Sequence, residues 1–328
     1  MSGKEMGYNT EDIYFTFDFG NQTLFDTLFF IGFPHTLKTR ILLFVGLLPI
    51  YILTILVNSF LICTVIFSPQ LHTPMYYFLC NLSFIDMFYS SNHDLKMLFD
   101  VFTVERRISV TGCLTQMYFG LILGGTEFVL LAVMAYDRFI AICFPLHYTI
   151  IMSWRTCKYI TVIMWSGNII LSVIPTIGKP FLFCRGNQVN HFVCESVVLL
   201  ELICGNIVFY ELFIFIGSLF SLFLPFVFIV FSYICIIISI LNLSSVDSRS
   251  KTFSTCASHL IVVFIIYGTC MTTYMRQEKG DSSSVKYVSI IYIIIAPLLN
   301  PFIYSLRNKE VKKAFWKMLT RYSVPHSL

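Results

Sequence analysis

The chain has 328 residues, 57% of them hydrophobic and only 12% charged. A soluble globular domain carries roughly a quarter charged residues, so this apolar surplus needs lipid rather than water to cover it. The formal charge of +4 is too small to imply a nucleic-acid partner, and no period of solenoid length runs along the chain.

Residues 1–40 are polar and acidic, with Glu5, Glu11, Asp12 and Asp18. They hold no basic stretch leading into a signal-peptide core, so the first apolar run is expected to act as its own signal anchor. Seven apolar segments follow, at roughly 41–67, 74–99, 109–138, 157–178, 206–241, 255–275 and 286–306. Each can cross about 30 Å of hydrocarbon at about 1.5 Å per residue. The fifth is overlong and is expected to project from the bilayer. Runs such as Ile41-Leu42-Leu43-Phe44-Val45 do not alternate, which argues against a barrel. The expected fold is an all-α membrane protein, with a seven-transmembrane helix bundle over 41–306. Residues 307–328 read as a short amphipathic eighth helix and tail. Val311, Ala314, Phe315 and Met318 share one face, and Lys309, Lys312, Lys313 and Lys317 occupy the rest. Such a helix lies in the interface against anionic lipid.

Lysine and arginine do not settle the orientation, because the 22 basic residues divide evenly between the two sides. The cysteines do. Cys63, Cys80, Cys143, Cys157, Cys235, Cys256 and Cys270 lie in or beside helices, where a free thiol behaves as a small hydrophobe. Cys113, Cys184, Cys194 and Cys204 fall in loops on one side, and an even set there points to disulfides on the oxidising side. The glycosylation signal at Asn21 lies on the same side. The amino terminus is therefore expected outside the plasma membrane and the tail in the cytoplasm.

Several polar residues interrupt the apolar runs. Thr73-Pro74 opens the second helix. Asp86 lies about 18 Å further in, and Glu127 about 16 Å from Arg138 on the third helix, so the two acids sit at similar depth. Two buried carboxylates repel unless one is protonated or a cation sits between them. A shared sodium or proton site competes with two separately satisfied groups, and Asn58 and Asn300 lie at nearby depths. Asp137-Arg138 ends the third apolar run, and the arginine stays charged at neutral pH, marking a switch at one face. Pro301 frees a carbonyl and kinks the seventh helix, with Asn300 expected to satisfy the freed group and Tyr304 one turn on. Gly120, Gly124 and Gly125 form a small-residue patch, read either as close helix packing or as room for a ligand. Tyr267, Cys270 and Tyr274 share a face of the sixth helix. His259 lies inside that helix without paired metal ligands. No phosphate loop, nucleophile elbow or zinc-protease motif is present, so an enzyme is not expected. A transporter built on the acid pair is the competing class, but the internal repeats usual in transporters are not visible.

Four long motifs carry a resemblance: Leu71–Leu79 (LHTPMYYFL), Met134–Cys143 (MAYDRFIAIC), Lys251–Leu260 (KTFSTCASHL), and Pro297–Arg307 with the following NKEV. The chain resembles the vertebrate odorant receptors, a branch of the rhodopsin-like G-protein-coupled receptors, from about Phe29 to Phe315. The resemblance implies disulfides Cys113–Cys194 and Cys184–Cys204. It implies a switch of Asp137, Arg138, Tyr233, His259, Asn300, Pro301 and Tyr304 facing a heterotrimeric G protein of the stimulatory or olfactory class, which raises cyclic AMP. It matches Asp86 and Glu127 to the family's acid pair, the site of any bound sodium; no other cofactor is implied. It projects a small-molecule odorant pocket onto Gly120, Leu121, Gly124, Gly125, Ser218, Tyr267, Cys270, Met271 and Tyr274. Phe139 departs from the family's usual Tyr, and Val57 from its usual Gly. Amine receptors of the wider superfamily carry an aspartate where Gly120 stands. With no acid apparent at that height, the expected ligand is small, neutral and mostly apolar.

Overall fold

The computed structural model describes residues 25–32, 36–103, 105–177, 181–204, 207–242, 246–276, 282–307, 310–314 and 316–317. Seven long helices occupy the seven apolar segments. They are α1 (Leu37–Phe67), α2 (Pro74–Phe102), α3 (Val110–Cys143), α4 (Trp154–Ile177), α5 (Ile207–Leu241), α6 (Val246–Arg276) and α7. The last is continuous through Ser282–Ile290, Ile291–Ile295 and Ala296–Arg307.

Local chemistry sets the starts. Thr36 accepts a hydrogen bond from the Thr39 amide and Ser109 from the Gly112 amide, at 3.4 and 3.1 Å, capping α1 and α3. Pro74 sits in the first turn of α2, where its missing amide costs nothing. Thr73 occupies the cap position there without a side-chain bond. Two π turns, Leu219–Phe223 in α5 and Ile291–Ile295 in α7, each end just short of a proline, Pro225 and Pro297. A proline crowds the turn before it and removes one ladder bond, and a widened turn absorbs that strain. The 35 residues of α5 exceed what about 30 Å of hydrocarbon requires, in line with its apolar length.

The outward faces are apolar: Leu42, Ile163, Val208 and Phe264 are 67–79% exposed in the bundle taken alone. Lipid is the solvent that fits them. Five helices are long and apolar enough to cross a membrane. In α2 the apolar run is broken by Asp86, Asp94, Lys96 and Asp100, and in α6 the apolar stretch is the shorter Cys256–Thr272. The central helix is α3, which packs on α2, α4, α5 and α6.

The bundle is not the whole fold. β1 (Thr27–Phe30), β2 (Arg107–Ser109) and β3 (Gln188–Val189) form a small sheet in the order β2-β1-β3. β1 runs antiparallel to β2, with Thr27 opposite Ser109, and parallel to β3, with Phe29 opposite Gln188. The sequence reading of 1–40 names no strand here. Leu28 and Phe30 alternate inward and join a second core with Phe183 and the Cys113–Cys194 bridge. Four alternating residues are too few to stand out beside helical runs. At the other end, residues 310–314 and 316–317 are helical, with Val311 and Ala314 buried and Lys312, Lys313 and Lys317 exposed. Lys309, Phe315 and Met318 lie outside the described residues.

Candidate functional site

At the disulfide end the helices part around a cavity of about 170 Å³. Gly120, Leu121, Gly124 and Gly125 line it from α3, Ser218 from α5 and Cys270 from α6. The glycines act in both ways anticipated. A Cβ on Gly125 would stand 2.5 Å from Asn168 Oδ1 of α4, and one on Gly120 would stand 3.2 Å from His93 Nε2 of α2. Missing side chains therefore seat α2 and α4 against α3 and leave the cavity between them. Two projected residues do not reach the wall. Tyr267 is 1% exposed, its hydroxyl donates to the Phe128 carbonyl at 2.9 Å, and its ring packs on Phe128 and Phe226. It is core, held by a satisfied hydroxyl. Met271 follows Cys270 by one residue, a turn of about 100° that carries it off the wall and against the core. The side chain of Tyr274 and the whole of Asn21 lie outside the described residues.

A loop covers the cavity, and covalent bonds place it. Disulfides join Cys113 to Cys194 and Cys184 to Cys204. The Cys194 amide also donates to Gln116 Oε1 at 2.9 Å. Cys194 is thereby fixed to the start of α3, and its neighbour Glu195 is delivered to the cavity wall. Tyr292 of α7 donates its hydroxyl to Glu195 Oε1 at 2.5 Å. Beside it, Ser289 Oγ meets His191 Nε2 at 3.1 Å and Lys286 donates to Asn190 Oδ1 at 3.2 Å. The loop is thus latched along one face of α7. The expectation of a neutral ligand rested on there being no acid at the height of Gly120. Glu195 supplies one, from a loop instead of from α3.

Below the cavity lies a buried polar layer, which meets the cavity wall at Glu127. Asn300 Nδ2 donates to Asp86 Oδ1 at 2.9 Å and to Glu127 Oε1 at 3.2 Å. All three are at least 93% buried. Asp86 Oδ2 has no partner among the described residues. Asn300 does not satisfy the carbonyl that Pro301 frees, because both acids claim its amide. Asn58 does so instead: its Nδ2 donates to the Pro297 carbonyl at 3.1 Å and to Thr54 O at 3.0 Å. Pro297 is four residues before Pro301, the position whose ladder bond a proline deletes.

At the far end Asp137 and Arg138 do not pair with each other. Asp137 Oδ1 accepts from the Tyr148 hydroxyl at 2.8 Å, and the Arg138 guanidinium donates to Met75 Sδ at 2.5 Å. Burial, with the Asp137 carboxylate, holds the Tyr148 phenol above its ordinary range, so it stays a donor. Between this end and the acid layer, His259 joins three helices. Its Nε2 meets the Leu131 carbonyl at 3.0 Å and its Nδ1 meets the Tyr233 hydroxyl at 2.9 Å. A carbonyl only accepts, so Nε2 carries the hydrogen and Tyr233 donates to Nδ1. Tyr304 is buried nearby, and its hydroxyl has no partner among the described residues.

The family model for olfactory receptors matches residues 47–322. The chain belongs to the olfactory receptor family. Human olfactory receptor 13F1 is 43% identical over 303 residues, covering 92% of this chain and 95% of that protein. Mouse olfactory receptor 5G29 is 42% identical, covering 93% and 98%. Human olfactory receptor 10A3 is 38% identical, covering 94% and 98%. Among solved structures squid rhodopsin shares the fold, with a TM-score of 0.69 at 16% identity over 90% of this chain and 85% of that one.

As an olfactory receptor the chain is a multi-pass membrane protein that signals and does not catalyse. Its cavity uses residues that the sequence did not single out: Tyr89 and His93 of α2, Asn168 of α4, and Glu195. Glu195 had a signal, since it directly follows a cysteine of the loop bridge. His93 and Asn168 had none beyond being polar within apolar runs.

Proposed function

We propose that this olfactory receptor binds a small, mostly apolar odorant in the cavity and activates a G protein of the stimulatory or olfactory class at the Arg138 end, raising cyclic AMP. The disulfide end faces outside, and the Arg138 end and basic tail face the cytoplasm. One observation carries the reading. A single helix, α3, lines the cavity with Gly120–Gly125, enters the polar layer with Glu127, and ends at Arg138. A ligand that fits one shape of the cavity better than another shifts the equilibrium of that helix and its neighbours. Opening α6 breaks the Tyr233–His259–Leu131 chain and exposes a cleft for the G protein.

The acid layer regulates this step. Asp86 Oδ2 lacks a partner among the described residues and faces a second carboxylate, an arrangement that a sodium ion or a shared proton completes. With sodium bound there, rising sodium weakens agonist potency in the wild type and not in Asp86→Asn. A sodium-insensitive wild type removes the ion from the scheme.

The test of the function is an odorant-evoked cyclic AMP rise in cells expressing the chain, lost in Arg138→Ala at unchanged surface level. Substrate flux that persists in that variant, with no G-protein coupling in either form, would overturn the receptor reading.

A further inference from the structure

The outer wall of the cavity carries more charge than an apolar odorant requires. Glu195 presents its carboxylate there, and among the described residues no lysine or arginine pairs with it. Its nearest basic neighbour is His191 at 3.9 Å, already bonded to Ser289. Lys286, the closest fixed cation along α7, is directed to the Asn190 side chain and the Gly32 carbonyl. Tyr292 occupies only Oε1, and an ionised carboxylate accepts at both oxygens. A second acceptor lies nearby. His93 Nδ1 is 2.8 Å from the Tyr89 carbonyl, so it carries the hydrogen and Nε2 is left as a lone pair toward Gly120. The Asn92 amide reaches that nitrogen only at 3.5 Å. Two acceptors, Glu195 and His93, therefore belong to the same cavity wall. Aromatic rings of Tyr89, Tyr210 and Phe213 also line the cavity, and their faces attract cations. Deeper in, Leu222 and Ile266 are apolar.

We propose that the preferred ligand of this receptor is a small primary amine bound as its ammonium, with the nitrogen at Glu195 and the carbon body among the apolar residues below. The ammonium has three donors and no acceptor, the complement of a carboxylate and an imidazole lone pair. The volume of about 170 Å³ lies below the usual range for drug-sized ligands and restricts the body to a few carbons or one ring. Glu195 comes from the loop and not from α3, so the site meets a cation without the helix-borne acid that a scan of α3 would look for. The proposal deepens the receptor reading above and rests on it.

The test is a cyclic AMP dose–response in cells expressing the full chain. The probes are short aliphatic and alicyclic primary amines, each beside its alcohol and carboxylate isostere, with cyclohexylamine, cyclohexanol and cyclohexanecarboxylate as the reference set. Amines are expected to act at concentrations about tenfold or more below the alcohols, and carboxylates to be inactive. Glu195→Gln keeps an acceptor for Tyr292 and removes the charge. It is expected to weaken the amines about tenfold or more and to leave the alcohols within about twofold. Tyr292→Phe releases the latch and keeps the charge, and is expected to retain the preference for amines. The wild-type comparison needs no variant: amines no more potent than alcohols overturn the proposal. So does a Glu195→Gln receptor at normal surface level that weakens amines and alcohols equally, since that is the mark of a purely structural latch. Responses to neutral odorants with none to amines overturn the ligand class and leave the receptor reading standing. Silence to every probe and to a broad odorant panel, with the receptor at the surface, overturns both.

Discussion

Two polar layers hang on α7, and they are built in opposite ways. The outer one joins Lys286, Ser289 and Tyr292 to Asn190, His191 and Glu195 of the loop, beside an open cavity. The inner one joins Asn300 to Asp86 and Glu127, with Asn58 on the Pro297 carbonyl, and its side chains are at least 93% buried. In the outer layer Glu195 and Tyr292 line the cavity, where water can replace a lost partner, while Ser289 and His191 between them are fully buried. In the inner layer only Glu127 borders the cavity, so the donors to Asp86 and to the Pro297 carbonyl bear the full desolvation penalty of the groups they satisfy. The difference teaches where the helix is fixed and where it is free to respond. A π turn, Ile291–Ile295, carries Tyr292 of the outer attachment and ends before Asn300 of the inner one, a local widening suited to absorb movement between Ser289 and Asn300.

Cutting the inner layer should have the largest effect. Asn300→Ala removes the single amide that bridges both carboxylates and leaves two buried acids facing each other. Leaving a buried acceptor unsatisfied costs about 1–3 kcal/mol, more where it is charged, and here two carboxyl groups lose the same donor. The expected result is a lower thermal inactivation midpoint in detergent and loss of odorant-evoked cyclic AMP. An Asn300→Ala receptor as stable as wild type would show that the layer is wet, and the contrast would collapse. Next comes Asn58→Ala. It orphans the Pro297 carbonyl that Pro301 has already deprived of a helical partner, at about 1–3 kcal/mol. Double substitution with Pro301→Ala should recover part of the loss, because the ladder bond then returns.

Gly125→Ala is of similar size and acts through packing. The new Cβ would stand 2.5 Å from Asn168 Oδ1, and the Asn168 amide is tied to the Met164 carbonyl at 2.9 Å. The side chain cannot swing aside without breaking that bond, so α3 and α4 must part at about 1–3 kcal/mol. Gly124→Ala meets only ordinary contact with Tyr89 at 3.6 Å and should be nearly silent in a thermal assay. Equal losses at the two positions would mean that the patch is uniformly packed.

These two layers were not equally legible in the amino-acid order. The inner one was, because depth along a helix is arithmetic. Asp86 and Glu127, counted from Pro74 and Arg138, arrive at one height, and Asn300 is found there with them. What helix counting could not give was the partner assignment. Asn58 and Asn300 lie at similar depth, and only packing decides which amide meets the Pro297 carbonyl. The outer layer was illegible because Glu195 reaches the cavity by a loop, and a loop has no period. Its position follows from the Cys113–Cys194 bridge, so the information lay in a cysteine pairing and not in hydrophobic spacing. Tyr267 shows the converse limit. Its helical spacing placed it on the face of Cys270, but whether a tyrosine lines a cavity or closes a core depends on where its hydroxyl finds a partner, here the Phe128 carbonyl.

The smallest expected effect is the sharpest check on the contrast. Lys286 is half-buried at the rim and donates to Asn190 Oδ1 and the Gly32 carbonyl, both at 3.2 Å. Lys286→Met keeps an apolar stem and removes the ammonium, with its hydrogen bonds and its place over the Phe192 and Tyr287 rings. Water can take over the half-buried Asn190 side chain, though not the carbonyl of buried Gly32, so the thermal midpoint should move by no more than about 1 kcal/mol allows. Loop mobility is where the change should appear. Amide hydrogen exchange over residues 188–192 is expected to quicken, while that of α3 stays unchanged, because Cys194 remains anchored by its disulfide and by Gln116. A loss of stability rivalling that of Asn300→Ala would make the loop latch part of the core. The rim would then be as rigid as the layer beneath it, and α7 would have no free end with which to respond to a ligand.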